Sequence, residues 1–150
     1  MAINYFDILG NVTINNIQLV DIFDRIRIKN NLKYEKDLFD NVQFNDGDTL
    51  ETFTFELYED KNLYWVVAIT NNIKDYMYDL PLLEIELREY HTKEVERINS
   101  EEGSSMSEAE ENTLWSEMVV ENDGKRILRV LKRTYLGEFL SEVNKLKGIT

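Results

Sequence analysis

Val42-Gln43-Phe44-Asn45-Asp46-Gly47-Asp48-Thr49-Leu50-Glu51 is the stretch whose reading decides the fold of this 150-residue chain. Val42 and Phe44 lean toward a strand. Asn45-Asp46-Gly47 supplies a tight turn, because these residue types tolerate positive φ. Asp48 or Thr49 is placed to cap a helix by accepting from its free N-terminal N–H groups, and Glu51 and Glu56 set negative charge early in that helix. One apolar segment then ends at Tyr58 and a second runs from Leu63 to Ile73. The pattern predicts strand, turn, helix, turn, helix. It is a packing and binding module and carries no recognisable catalytic machinery.

Upstream, residues 1–41 read as a small β-rich N-terminal region. Ile3, Tyr5, Phe6 and Ile8 precede a turn at Gly10-Asn11, and Val12 and Ile14 precede another at Asn15-Asn16. Val20–Ile28 alternates apolar and polar residues from Ile26 on, as a half-buried strand does, before a turn at Asn30-Asn31. Tyr34–Phe44 reads as extended, with a strand close to Phe39–Phe44.

Downstream, helices are expected over 49–58 and 62–72. The single proline, Pro81, suits the first turn of a further helix over 82–99, where its missing N–H costs nothing. Leu83, Leu87, Tyr90 and Ile98 fall near one face of that helix. Residues 42–99 thus form a strand–helix–helix core with a following helix. Ser100–Asn112 holds five Glu and no Lys or Arg, and reads as an acidic flexible loop, either solvated or docked on a basic partner. Residues 113–150 read as a C-terminal strand–helix segment. Within it Thr113–Val120 is ambiguous, with Trp115, Met118 and Val119 offering an apolar face, and Asn122-Asp123-Gly124 signals a hairpin turn. Arg126–Leu131 is a strand, and Tyr135, Leu136, Phe139, Leu140, Val143 and Leu146 mark an amphipathic helix. The class is α+β.

The net charge is −12, and it is unevenly spread: residues 125–150 hold seven Lys/Arg against two Glu. An acidic body disfavours nucleic acid and anionic membrane, since phosphate neutralisation needs clustered Lys/Arg. Lys125, Arg126, Arg129, Lys132 and Arg133 flank Ile127, Leu128 and Leu131. A solvated strand face competes there with a salt-sensitive contact to an acidic neighbour. The chain has no cysteine, so thiolate chemistry has no basis. Met1–Tyr5 lacks the basic and apolar regions of a signal peptide, and no apolar run approaches transmembrane length.

No catalytic, cofactor or metal site is expected. Asp46 and Asp48 flank Gly47, but the calcium-loop series fails at Leu57, so turn and cap roles fit them better. His91 is the single histidine. It leaves a zinc site or a triad little to build on, and reads as a solvated residue on a charged helix. Phosphate-binding loops and nucleophile elbows do not occur.

The run from Val42 to Glu51 resembles the opening of a LysM module, a type that binds peptidoglycan or chitin. A longer pattern continues through Tyr58-Glu59-Asp60, Leu63-Tyr64-Trp65-Val66-Val67, Asn71-x-Ile73-x-Asp75 and Tyr78-Asp79-Leu80-Pro81-Leu82. It resembles the LysM-like baseplate wedge subunit of T-even-type contractile-tailed bacteriophages, over about residues 42–92. The resemblance implies a structural virion protein of the tail baseplate, assembled in the host cytoplasm, whose LysM-like core joins neighbouring wedges. The implied partners are other baseplate wedge proteins, namely elongated core subunits and a small sheath-like subunit. The alternative is a LysM-type peptidoglycan-binding module.

Tyr58, Tyr64 and Trp65 fit three roles: packing of the two-helix unit, anchoring of a protein interface, or stacking on sugar rings. Tyr76 and Tyr78, beside the turn before Pro81, suit an interface because loops sit at the surface. With Tyr5 and Phe6 at the N-terminus and Arg126, Arg129 and Arg133 in the basic segment, these residues make up the candidate protein-interface set.

Overall fold

The computed structural model describes residues 5–20 and 35–147. In chain order the elements are β1 (Asn11–Ile14), β2 (Ile17–Val20), β3 (Phe39–Gln43), α1 (Leu50–Tyr58), α2 (Tyr64–Asn71), α3 (Glu84–Glu102), α4 (Glu108–Gly124), β4 (Ile127–Leu131) and α5 (Arg133–Lys147). Short 3-10 turns cover Tyr5–Ile8, Lys36–Leu38 and Lys61–Leu63. The fold is α+β, with two small antiparallel sheets, β1–β2 and β3–β4, among the described residues. It divides into two compact units that interleave along the sequence. Unit 1 takes residues 1–42, 48–73 and 128–150, and unit 2 takes 43–47 and 74–127.

Unit 1 grows from the stretch read first. Gly47 adopts φ 84°, the left-handed region that glycine enters without a Cβ penalty. Of the two cap candidates, Thr49 caps α1. Its Oγ1 accepts from the Thr52 N–H at 3.2 Å, while Thr52 Oγ1 accepts from the Thr49 N–H at 2.9 Å. Reciprocal capping of this kind satisfies two donors the helix itself leaves open. Helix α2 is apolar nearly all round, and Trp65, Val66, Val67, Ala68 and Thr70 are buried. The hydroxyls of Thr54 and Thr70, both buried, donate to the Leu50 and Val66 carbonyls at 2.6 and 2.7 Å, so neither is left unsatisfied.

Trp65 is the hub of this core at 2% exposure. Its ring lies 6.1 Å from Tyr5 on one side and 6.1 Å from Phe139 of α5 on the other, by ring centroids. The 3-10 turn, α2 and α5 therefore share one aromatic cluster. Strands β3 and β4 come from positions nearly ninety residues apart, and two helical side chains hold β4 in place. The Tyr58 hydroxyl donates to the Leu131 carbonyl at 2.8 Å. The Asn71 amide donates to the Arg129 carbonyl at 2.7 Å and accepts from the Arg129 N–H at 2.8 Å, as a neighbouring strand would. Burial pushes the Tyr58 phenol pKa up, because its anion would be desolvated.

Unit 2 holds a helical hairpin of α3 and α4, joined by residues 103–107. Gly103, at φ 66°, ends α3 by donating to the Asn99 carbonyl at 3.1 Å. The α3–α4 contact is made in part by His91, whose ring meets Trp115 edge-on at 5.5 Å and whose Nε2 lies 3.1 Å from the Glu111 carbonyl. Asn122 is buried and clamps Leu82 in the manner of Asn71. Its Oδ1 accepts from the Leu82 N–H at 2.7 Å and its Nδ2 donates to the Leu82 carbonyl at 3.0 Å.

Several expectations need correction. Tyr5–Ile8 is a 3-10 turn and not strand, because a three-residue repeat turns Tyr5 and Ile8 to the same side. Pro81 precedes its helix without entering it. Asn122 holds both backbone groups of Leu82 in an extended setting, which delays the helix start to Glu84. The acidic loop expected over Ser100–Asn112 is the end of α3, a short turn and the first turn of α4. Ser107 and Glu110 cap α4, with the Glu110 carboxylate accepting from the Ser107 N–H at 2.7 Å. Asn122-Asp123-Gly124 ends α4 and forms no hairpin turn. His91 sits half-buried between two helices, away from the solvated face expected of it. Ile3, the strand placed over Val20–Ile28 beyond Val20, and the turn at Asn30-Asn31 lie outside the described residues.

Trp65→Ala tests the aromatic hub. Truncating a fully packed tryptophan should cost about 3–5 kcal/mol, read as a large fall in melting temperature by circular dichroism. An unchanged melting temperature would contradict the core role.

Candidate functional site

Strands β1 and β2 pair with Val12 opposite Leu19 and Ile14 opposite Ile17. Asn15 and Asn16 form the turn, both at positive φ (53° and 64°), as a two-residue hairpin turn requires. Cross-strand pairing puts Val12, Ile14, Ile17 and Leu19 on one face and Thr13 and Gln18 on the other. The ten residues from Asn11 to Val20 carry no charge, and every one of them is exposed. Ile14 and Ile17 are 52% and 62% exposed. A two-stranded hairpin is marginal alone in water, and an exposed apolar face on it invites an added protein surface.

A second exposed cluster lies in unit 2. Tyr76, Met77 and Tyr78 are 51%, 73% and 63% exposed, three large side chains in a row. The loop that carries them is internally braced. Asp79 Oδ2 accepts from the Lys74 and Asp75 N–H groups at 2.7 and 2.9 Å, and Asp75 Oδ1 accepts from the Met77 N–H at 2.8 Å. The Asp79 N–H donates to the Asp75 carbonyl at 2.8 Å. These backbone donors, with lesser help from Lys125 and Lys74, hold the Asp79 carboxyl below its ordinary value. The loop is thus a fixed knuckle presenting aromatic and thioether surface.

The other candidate interface residues take different roles. Tyr58 and Trp65 belong to the core of unit 1, and Tyr64 is half-buried. Tyr5 is half-buried against Trp65, and Phe6 stacks edge-on against Tyr5 at 5.9 Å while remaining 54% exposed. Arg126 bonds to Asp46 and Asp123, and these carboxylates raise its pKa. The Arg129 guanidinium lies 4.3 Å over the Phe39 ring and donates to the Glu35 carbonyl. Arg133 pairs with Glu59 at 3.0 Å, through a hydrogen bond that lowers the Glu59 pKa. The basic segment is therefore largely spent on intramolecular contacts. Of the ten residues, Phe6, Tyr76 and Tyr78 offer apolar surface to a partner. The apolar hairpin face was legible as alternation in Asn11–Val20, but no local signal says that the face stays uncovered.

Among the described residues no group of three or more His, Asp or Glu could hold a metal ion, and no helix is long and apolar enough to cross a membrane. Comparison with protein-family models, with curated proteins and with solved structures finds no match for this chain.

Two predictions follow from these surfaces. Ile14→Asp combined with Ile17→Asp should leave stability within about 0.5 kcal/mol, as for exposed sites generally, while lowering the fluorescence of a bound hydrophobic dye. Unchanged dye binding would show that the apolar face is not accessible. The second concerns pH. A carboxyl lowered in the folded state from 3.8 stabilises its loop fully above that ordinary value and ceases to do so as pH falls through the lowered one. The Lys74 and Asp75 amide resonances should therefore titrate together below pH 3.8, and Asp79→Ala should abolish that titration.

Proposed function

We propose that this chain is a structural component of the baseplate wedge of a contractile phage tail, joining neighbouring subunits by contact and doing no chemistry itself. The observation that carries the reading is the exposed, uncharged apolar face of the β1–β2 hairpin, beside a core whose own aromatics are buried. A chain built to present surface to other proteins has use for such an arm. The resemblance of residues 42–92 to the LysM-like wedge subunit supplies the context. In its support, a strand, a glycine turn, a capped helix and a second helix follow one another here in the order that the resemblance implies.

On this reading residues 42–99 hold the LysM-like connector. Its partners are elongated core subunits, a small sheath-like subunit and neighbouring wedges, met in the virion baseplate after assembly in the host cytoplasm. Repeated heterologous contacts of this kind close rings when the rotation between subunits allows it. The peptidoglycan-binding alternative gains nothing from the aromatic set. Sugar stacking needs exposed ring faces, whereas Tyr58 and Trp65 are 6% and 2% exposed.

Co-expression with the subunits of a contractile-tail baseplate tests the proposal. The wild-type chain should migrate in a high-mass complex, and the Ile14→Asp/Ile17→Asp double variant should remain folded but free. Retention on purified peptidoglycan that soluble glycan fragments compete away, without co-assembly, would overturn the reading in favour of the binding module.

A further inference from the structure

The α3–α4 hairpin is an incomplete helical bundle. Leu87 in α3 and Asn122 in α4 are the fully buried residues of the two helices. Beside the hairpin runs an open cleft of about 550 Å³, lined by Met77, Tyr78, Leu82, Leu87, Tyr90 and Met118. Asp79, Glu86, Glu89 and Glu121 line it as well, Glu86 accepting from the Leu83 N–H at 3.0 Å. Lys93 and Lys125 also line it, but Lys125 is committed to the Tyr78 carbonyl at 2.9 Å and to Glu121 at 3.1 Å. Unit 2 holds sixteen acidic against six basic residues, a net charge of −10 out of the chain's −12. Among the described residues the carboxylates of Glu89, Glu96, Glu102, Glu108 and Glu117 make no hydrogen bond or ion pair.

We propose that this cleft is a docking site for a cationic amphipathic helix of another protein, which completes a three-helix bundle with α3 and α4. The inference stands apart from the wedge reading, since it rests on unit 2 alone. Two antiparallel helices with a groove between them accept a third helix by the same ridge-and-groove packing that joins them. Its apolar residues at i, i+3, i+4 and i+7 would seat on the Met, Leu and Tyr side chains of the lining, and its Lys and Arg flanks would meet the carboxylates beside them. Exposed methionines suit a surface that re-packs around its occupant, as Met77 is placed to do. The part of α3 that lines the cleft runs from Glu86 to Lys93, about two helical turns.

Among the described residues, charge favours this occupant over a second copy of the same chain. Of the described cations of unit 1, Arg133 is engaged with Glu59, Lys132 with Asp40 and Lys145 with Glu142, while Lys36 and Lys61 stand singly on short 3-10 turns. Arg88 and Arg97 are likewise held by Glu84, Glu94 and Glu101 of their own helix. Among the described residues no helix presents a free cationic face. An acidic occupant would add like charge to a unit that already carries an excess of it.

The probe is a synthetic helical peptide of leucine and lysine, with leucines at i, i+3, i+4 and i+7, titrated into the full chain. A peptide of the same composition in scrambled order, unable to form an apolar face, serves as the control. The proposal expects saturable binding of the first alone, weakened by salt, with resonance shifts confined to residues 77–93 and 118–125. Glu89→Lys and Met77→Ser change exposed side chains and leave the fold intact. Each should weaken binding by about tenfold, a difference of ~1.4 kcal/mol. Equal binding of the scrambled peptide would reduce the effect to bulk charge. Shifts elsewhere, unaltered affinity in both variants, no binding at all, or a dimer in the free chain with this cleft at its interface would each overturn it.

Discussion

The pairing of β3 with β4 is the constraint on which the rest of unit 1 depends. Two strands bring little stability by themselves, and these two are separated by a long stretch of chain whose closure costs entropy. What makes the pairing favourable is lateral support from the helices. Tyr58, at the end of α1, and Asn71, at the end of α2, both reach β4 and bond to its backbone at Leu131 and Arg129. Lys132 adds its N–H to the Leu38 carbonyl at 2.9 Å. A strand secured by side chains from two helices is fixed in register, so α5 leaves it at a defined point and brings Phe139 to Trp65.

The same device recurs in unit 2. Asn122 grips Leu82 through both amide groups, as Asn71 grips Arg129. In each case a side-chain amide replaces a missing strand neighbour, meeting the demand that buried backbone polar groups be paired. Both asparagines stand at or near the C-terminal end of a helix, where the chain must change direction. Their removal would leave two backbone groups without partners at once, a cost that one lost contact does not capture.

How far the sequence reveals this structure depends on how local the causes are. The Gly47 turn, the cap of α1, the two short helices, β3, β4 and α5 rest on nearest-neighbour chemistry, and all are legible. The failures sit where a distant residue decides. Pro81 stays out of its helix because Asn122, some forty positions on, restrains Leu82. Tyr5–Ile8 coils where Tyr5 packs on Trp65, some sixty positions on. The α4 helix is a different case, since its signal was present. Ser107-x-x-Glu110 is a capping pair, and Glu108, Glu110 and Glu111 suit the positive end of a helix. Acidity there masks a helix start and imitates a solvated linker. At the candidate site the alternation of Val12, Ile14, Ile17 and Leu19 is readable, but whether anything covers that face is a tertiary fact.

The proposed function rests on surfaces. The core of unit 1 absorbs the aromatics that a sugar-binding role would need exposed, and the basic segment is consumed by internal pairs. The exposed surface is uncharged and apolar on the β1–β2 arm, aromatic at Tyr76 and Tyr78, and acidic along the α3–α4 hairpin. Such a distribution suits a connector that meets several neighbours at once. Crosslinking mass spectrometry on assembled tails containing this chain tests that account most directly. It predicts crosslinks from this chain to at least two other tail proteins. Purified tails that lack the chain, or crosslinks confined within it, would contradict the account.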